Sequence, residues 1–251
     1  MTIAIIKFKN YKDSIAEALN AISADKSLEK QTAILIKPNL VNDSPFPVTT
    51  HPDCCRAIIE YIKSCSKADI IVGEGCGDAF KETPDIYKNL GYNNMAGELG
   101  ISLVDLNYGK LNQLRNPKLK IFPEMYLPEI AFNHYIISVP VLKAHSLSDI
   151  TGTLKNMMGF APPKYYSGKY GIWKKAVFHN NIHQAIKDLN SYRTPDLTVM
   201  DASVGLAEYH LGGAKCNPFV NKILAGFNPI EIDREAASLL GLDWRRIPHL
   251  F

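Results

Sequence analysis

The chain has 251 residues, of which 46% are hydrophobic and 21% are charged. This length and composition allow a substantial core without disulfides, and they exclude a disordered tail or a mini-protein. The 28 basic and 25 acidic residues leave a formal charge of +3, which is too small to indicate a duplex-binding protein by itself. We expect a single α/β domain over residues 1–251. The charge is compatible with a small anionic molecule as its ligand.

The apolar runs and the cysteines indicate the class of compartment. The apolar start of the chain is too short for a signal peptide, and no run approaches the ~18 residues that cross a bilayer, so we expect no membrane partner. The five cysteines are an odd set at low density, which favours a reducing, cytoplasmic location. None shows C-x2-C spacing, so we expect no iron–sulfur cluster from local cysteine pairs.

Short apolar runs alternate with helical stretches of ten or more residues, which is typical of βαβ units. This order predicts an α/β fold with a mostly parallel sheet and helices on both faces. Irregular excursions are expected near 107–129, with a peripheral strand or hairpin at 119–121, and near 160–176. In chain order the prediction is strand 2–7, helix 13–24, strand 32–36, a helix from Pro52, strand 68–72, helix 84–90, strand 100–104, strand 135–139, a helix from 148–151, helix 179–190, strand 196–200, strand 222–225 and helix 230–240.

Polar side chains follow the predicted strands at the point where each strand ends. Open α/β sheets bind ligands at the carboxyl edge of their strands, near a reversal of strand order. Loops are polar in any protein, so the set as a whole, rather than any single residue, predicts a pocket. The side chains expected at this edge are Lys37, Asn39, Glu74, Asp105, Lys143, His145, Asp201 and Ser203.

Residues 140–159 hold the densest group of polar side chains. A helix that begins near Ser148 to Thr151 would present free N–H groups and a positive dipole end to an anion, and Lys143 or Lys155 would add charge. The segment is not a Walker loop, because it lacks G-x4-G-K-[ST]. An ordinary capped helix start predicts the same pattern, and both interpretations stay open.

The histidines permit a metal hypothesis. His179 and His183 lie four residues apart, but no H-E-x-x-H motif is present, which favours a structural pair. His51, His145 and His210 each lie beside a loop and could meet Glu74, Asp105 or Asp201 at the sheet edge. A divalent metal held by one or two of these histidines with carboxylates is therefore one hypothesis for a cofactor, and His51, His210 and Asp201 are its first candidate ligands.

Residues 162–175 interleave basic and aromatic side chains. Such a mixture is typical of single-stranded nucleic-acid binding and also of a lid over an anionic pocket. We favour the lid or a solvated loop, because no matching basic surface is predicted elsewhere. The residues concerned are Lys164, Tyr165, Tyr166, Lys169, Tyr170, Trp173, Lys174 and Lys175.

Four motifs are spread along most of the chain: Ile36-Lys37-Pro38-Asn39-Leu40, Gly73-Glu74-Gly75, Pro140-Val141-Leu142-Lys143-Ala144-His145 and Leu154-Lys155-Asn156-Met157-Met158-Gly159. From about Lys7 to Leu240 the chain thus resembles the prokaryotic family known as domain of unknown function 362. The resemblance implies a prokaryotic, cytoplasmic protein and carries over no catalytic role. Many relatives carry a ferredoxin-like iron–sulfur segment and are described as redox proteins, whereas this chain lacks the C-x2-C-x2-C run. The order of elements is also distantly similar to lactate-racemase-type proteins.

These observations favour an enzyme that binds a small anionic substrate, a carboxylate or a phosphate, at the strand-end cleft. If the metal hypothesis holds, a divalent metal would assist the reaction. One alternative is a non-catalytic binding or scaffold module that serves a redox partner protein. The other is single-stranded nucleic-acid binding through 162–175, which we do not expect. The predicted roles are proton transfer by Lys143, His145, Glu74 and Asp105, substrate binding by Lys37, Asn39, Lys155, Asn156 and Ser203, and metal binding by His51, His210 and Asp201.

Overall fold

The computed structural model describes residues 3–168 and 172–251. Within these two ranges, nine strands form a central sheet, and two more form a separate hairpin. The strands are β1 Ile3–Lys7, β2 Ala33–Pro38, β3 Asp69–Glu74, β4 Ser102–Asp105, β5 Leu111–Arg115, β6 Glu124–Pro128, β7 Tyr135–Val139, β8 Val141–His145, β9 Asp149–Thr151, β10 Leu197–Leu206 and β11 Lys222–Gly226.

Two of the longer helices begin at a side-chain cap. Helix α3 (Pro52–Cys65) has Pro52 in its first turn, and His51 before it accepts from the Asp53 N–H. Asn228 caps α10 (Pro229–Leu239) in the same way, with Pro229 at its start. The helices are α1 Tyr11–Ala21, α2 Asp25–Leu28, α3 Pro52–Cys65, α4 Thr83–Asn89, α5 Tyr92–Leu99, α6 Ile130–Asn133, α7 Thr153–Asn156, α8 Pro163–Tyr166, α9 Ile182–Tyr192 and α10 Pro229–Leu239, with 3₁₀ turns at Met157–Phe160, Ala176–Asn181, Trp244–Arg246 and Pro248–Leu250.

The central sheet has the strand order β1-β11-β10-β7-β2-β3-β4. Strands β10, β7, β2, β3 and β4 are parallel, and β11 is antiparallel to both β10 and β1. Successive side chains of β2 pack on opposite faces of the sheet. Ile34 and Ile36 belong to the hydrophobic cluster with α1 and α3, and Leu35 belongs to the cluster on the other face with α9 and α10. The predicted mostly parallel α/β sheet with helices on both faces is confirmed.

The strand order reverses between β2 and β7. The chain adds β3 and β4 on one side of β2 and then returns to place β7 on its other side. Lys37 of β2 lies opposite Ser138 of β7, so the carboxyl ends of both strands meet at this reversal. Crevices of this kind are where open α/β sheets bind ligands.

Two strands run further than the sequence predicted. Pro140 interrupts the line of β7, because it has no N–H for the ladder, but β8 resumes beside β10 and carries Lys143 and His145. Strand β10 continues to Leu206, beyond the predicted end at residue 200. Asp201 and Ser203 therefore lie inside a strand instead of in a loop at its end.

The irregular segments also differ in detail. Residues 107–129 form the β5–β6 hairpin, but 119–121 lie in its connection and not in a strand. The helix predicted from 148–151 begins only at Thr153, since 149–151 pair with β8 as β9. Within residues 3–168 and 172–251, every helix is too short or too polar to span a bilayer.

Candidate active site

A cavity of about 390 Å³ opens at the ends of β2, β3 and β8. The sequence placed twelve residues in a candidate site, and the structure brings eight of them to this cavity. They are Lys37, Asn39, Glu74, Lys143, His145, Lys155, Asn156 and His210.

A buried ion pair lies at the base of the cavity. Lys37 Nζ donates to Glu74 Oε1 at 2.7 Å, and both side chains are almost fully buried. The other carboxylate oxygen, Oε2, accepts from the Leu40 N–H at 2.8 Å, and Oε1 also accepts from the Gly75 N–H at 2.8 Å. Burial lowers the pKa of Lys37, and Glu74 opposes that shift. Both oxygens of Glu74 are therefore already engaged by the protein.

Lys143 is the second buried lysine of the cavity. Its Nζ donates at 2.5 Å to Asn39 Oδ1 and at 2.5 Å to the Val48 carbonyl. Both acceptors are neutral, so Lys143 forms no ion pair with the described residues. Burial and nearby Lys155 lower the pKa of Lys143 to about 7, and the carboxylate of Glu74 opposes this shift only in part.

Two further lysines line the same cavity. Lys175 Nζ donates to Asn107 Oδ1 at 2.5 Å and to the Ala161 carbonyl, and burial lowers its pKa to about 7. Burial alone lowers the pKa of Lys155 to about 8. The sequence reasoning missed Lys175 as a site residue, because it belongs to the basic and aromatic segment that we interpreted as a lid.

His145 enters the cavity as a neutral hydrogen-bond donor. Its Nδ1 accepts from the N–H groups of Leu147 at 3.0 Å and Ser148 at 3.2 Å, so the ring proton resides on Nε2. Burial, with Lys155 and His210 nearby, lowers the pKa of His145 far below its usual range. In the described part of the chain, this buried Nε2 has no hydrogen-bond partner.

His210 stacks on His145, with ring centroids 3.9 Å apart. Its buried Nδ1 also has no hydrogen-bond partner among residues 3–168 and 172–251. Burial, with Lys155 and Lys143 nearby, lowers the pKa of His210 to about 3, so this imidazole is neutral as well.

A model of the family described as a domain of unknown function (DUF362) matches residues 34–238. The chain belongs to the DUF362 family. A solved structure of the lactate racemase apoprotein from Thermoanaerobacterium thermosaccharolyticum is similar to it, with a TM-score of 0.54 and 13% identity. The match covers 93% of this chain and 56% of the racemase chain, so the present chain spans about half of that structure. At this identity the likeness shows the fold alone. No curated protein sequence matches the chain.

Asp201 and Ser203 of this DUF362 chain form a separate cluster. Asp201 accepts from Tyr11 Oη at 2.8 Å and from Ser203 Oγ at 2.7 Å, and His51 stacks on Tyr11. Because β10 continues past Asp201, this side chain points toward α1 instead of the strand-end cavity. The structure thus separates His210 from His51 and Asp201, the other two predicted metal ligands. Within the described ranges, no three His, Cys, Asp or Glu side chains group together as metal ligands would.

Asp105 also lies outside the cavity lining. Asp105 of β4 is the register partner of Glu74 of β3, but its Oδ1 accepts from Thr83 Oγ1 at 2.8 Å and from the Asn107 N–H at 2.9 Å. Burial raises the pKa of Asp105. Its predicted role in proton transfer would require a substrate beyond this cavity.

The predicted anion site at a helix start is wrong for this DUF362 protein. The first N–H groups of α7, on Thr153 and Leu154, donate to the carboxylate of Asp233 at 2.6 and 3.0 Å. A buried side chain from α10 thus satisfies the helix start. Lys155 and Asn156 of α7 reach the cavity by their side chains instead.

The basic and aromatic segment forms part of the cavity wall. Trp173 and Lys175 line it, as the lid interpretation expects. Lys174 Nζ donates to the carbonyls of Asp78 and Lys81, and Tyr166 is buried, so these two side chains pack against the protein. Lys169 and Tyr170 lie outside the described residues.

Proposed function

We propose that this protein is an enzyme that binds a small carboxylate or phosphate in the cavity between β2 and β8. The supporting observation is the charge of its walls. Four of the described lining residues are lysines, and one, Glu74, is acidic and already paired with Lys37. Lys143, Lys155 and Lys175 therefore form no ion pair with a carboxylate of the described residues, and Glu74 only partly offsets the effect of burial on Lys143 and Lys175. Uncompensated buried charge is unfavourable, and a bound anion would remove that penalty.

The proposed chemistry has two roles, anion binding and proton transfer, and Lys143 takes part in both. Lys143 and Lys175 are fixed by hydrogen bonds to protein oxygens, so they would hold the anion in one orientation, and His145 Nε2–H would donate to it. Lys143 and Lys155, with pKa values of about 7 and 8, have the acidity that proton transfer near neutral pH requires. Glu74 would position Lys37 and the loop at Leu40.

The mouth of the cavity suggests the rest of the ligand. Leu147, Trp173 and Tyr209 line it and are each about half exposed. Exposed apolar side chains around a polar base suit a ligand with an anionic group at one end and an apolar group at the other. Because a solved structure with this fold is a lactate racemase, short 2-hydroxy carboxylates are the first compounds to test.

The test combines binding with turnover. Saturation-transfer NMR with L-lactate, pyruvate and mandelate should show contact with the wild-type protein, and D₂O should exchange deuterium into the C–H group of the compound that is turned over. Lys143→Met should abolish both signals. Lys164→Met is the matched control and should keep both, because Lys164 is exposed and does not line the cavity. Absence of carboxylate binding would restrict the ligand to a phosphate, and equal binding by the folded Lys143→Met protein would refute the proposal.

A further inference from the structure

Lys155 differs from the other lysines of the cavity. Lys37, Lys143 and Lys175 each donate to at least two protein oxygens. The Nζ of Lys155 has no hydrogen-bond or ion-pair partner among residues 3–168 and 172–251, and its side chain is partly exposed to the cavity. This amine is therefore accessible to a ligand and is not engaged by the protein.

The surroundings of Lys155 favour its neutral form. Its charged and titratable neighbours are Lys143, His145, His179, His210 and His249, so none can serve as a counter-ion. Glu74 is bound by Lys37 and by two backbone N–H groups. A lysine that is desolvated beside another cation, here Lys143, carries a free lone pair in a larger fraction of molecules near neutral pH, which is how lysine nucleophiles are activated.

We propose that Lys155 is a nucleophile that condenses with the carbonyl group of an anionic oxo compound, such as a 2-oxo carboxylate or a phosphate-bearing aldehyde, to form an imine. The proposal rests on the proposed function, because Lys143 and Lys175 would hold the anionic group while the amine attacks.

The condensation needs no oxidant or reductant. The Nζ lone pair forms a bond to the carbonyl carbon, the carbonyl π electrons move to oxygen, and a proton passes from nitrogen to oxygen to give a carbinolamine. The carbinolamine hydroxyl then leaves together with the remaining proton of the nitrogen as water, and the nitrogen lone pair forms the second bond of C=N. His145 Nε2–H, which has no partner in the described chain, is the donor that would hydrogen-bond to the oxygen during both steps.

Pyridoxal 5′-phosphate is a suitable probe because it combines an aldehyde with a phosphate. We would mix it with the wild-type protein at equal concentration, reduce with borohydride and map the modified peptides by mass spectrometry. We expect Lys155 to be modified about tenfold or more above any other lysine, since exposed amines are almost fully protonated at neutral pH. Lys155→Arg should remove this adduct, and Lys164→Arg, which changes an exposed lysine, should keep it.

Two outcomes separate this inference from the proposed function. If inorganic phosphate raises the unfolding temperature but Lys155 of the wild-type protein is unmodified, the nucleophile is wrong and the anion site stands. If Lys155 is modified but excess inorganic phosphate neither binds nor competes, the nucleophile stands and the anion site fails. The wild-type peptide map decides the inference even if Lys155→Arg does not fold.

Discussion

The imidazole of His145 shows how the backbone fixes a chemical role at a single residue. Two N–H groups donate to its Nδ1, so only Nε2 can carry the proton of the neutral ring. The sequence indicated a histidine after a buried strand. It could not indicate the tautomer, because that depends on the turn through Leu147 and Ser148.

Two substitutions at His145 separate its two nitrogens. An Asn amide oxygen can replace Nδ1, so His145→Asn should keep the turn but lower lactate affinity by about 1.5–3 kcal/mol, the contribution of a hydrogen bond to a charged group. His145→Gln can present an N–H near the Nε2 position, so it should keep more affinity and lose more stability. Calorimetric titration and thermal unfolding of both proteins test this. The reverse order of affinities would contradict the assigned tautomer.

The lysine pKa values set the expected pH dependence of binding. Lys143 and Lys175 have pKa values of about 7, and that of Lys155 is about 8, so all three lose charge as the pH rises from 6 to 9. A carboxylate ligand keeps its charge over this range. Lactate affinity should therefore fall as the pH rises, and binding below pH 7 should be tightest. Affinity that is constant or increases with pH in a titration series would exclude these amines as the anion-binding groups.

At the scale of the secondary-structure elements, the close approach of α7 and its 3₁₀ extension to the sheet forms the base of the cavity. Gly159 permits it, because a Cβ there would collide with the Lys37 ammonium and the Glu74 carboxylate. The sequence contained this glycine within a family motif. Its reason is visible only once β2, β3 and the 3₁₀ turn are assembled.

Gly159→Ala should displace the buried ion pair. Overpacking of this kind reduces the free energy of unfolding by about 1–3 kcal/mol, and we expect lactate binding to weaken as well. Gly97→Ala is the matched control, because the described residues leave a Cβ at Gly97 free of contacts within 4 Å. Urea unfolding and titration of both proteins provide the comparison. Equal stability and binding in the two variants would refute the packing argument.

The contact between α10 and α7 predicts a pH dependence of stability. Burial raises the pKa of Asp233 to about 7, against the backbone hydrogen bonds that lower it. Between the unfolded-state pKa near 4 and this value, the folded protein binds the additional proton, so the contribution of Asp233 to stability falls as the pH rises from about 4 to 7. The difference in unfolding free energy between wild type and Asp233→Asn should change in this window, with lactate binding unaffected. A constant difference would contradict the raised pKa.

At the scale of the whole molecule, the sequence predicted the position of the cavity, at the reversal of strand order, better than it predicted the residues that line the cavity. Continuous apolar runs such as Ile34–Ile36 identified buried parallel strands, and Lys37 and Glu74 follow from where those strands end. The sequence predicted Asp201 at the end of a strand, whereas it lies inside β10. The apolar pattern of β10 does not show this extension, because the extension depends on pairing with β8 beyond Pro140. Lys175 was missed because its position depends on how a distant segment packs against Asn107 and Ala161.

The most direct test of the anion site is calorimetric titration of the protein with inorganic phosphate at low salt and pH 6.5. We predict that one phosphate binds per chain in the wild-type protein and in Lys164→Met, whose exposed lysine lies outside the cavity. We predict that the folded Lys143→Met protein shows no binding. Binding of equal affinity in Lys143→Met, or no binding to the wild-type protein, would contradict the account.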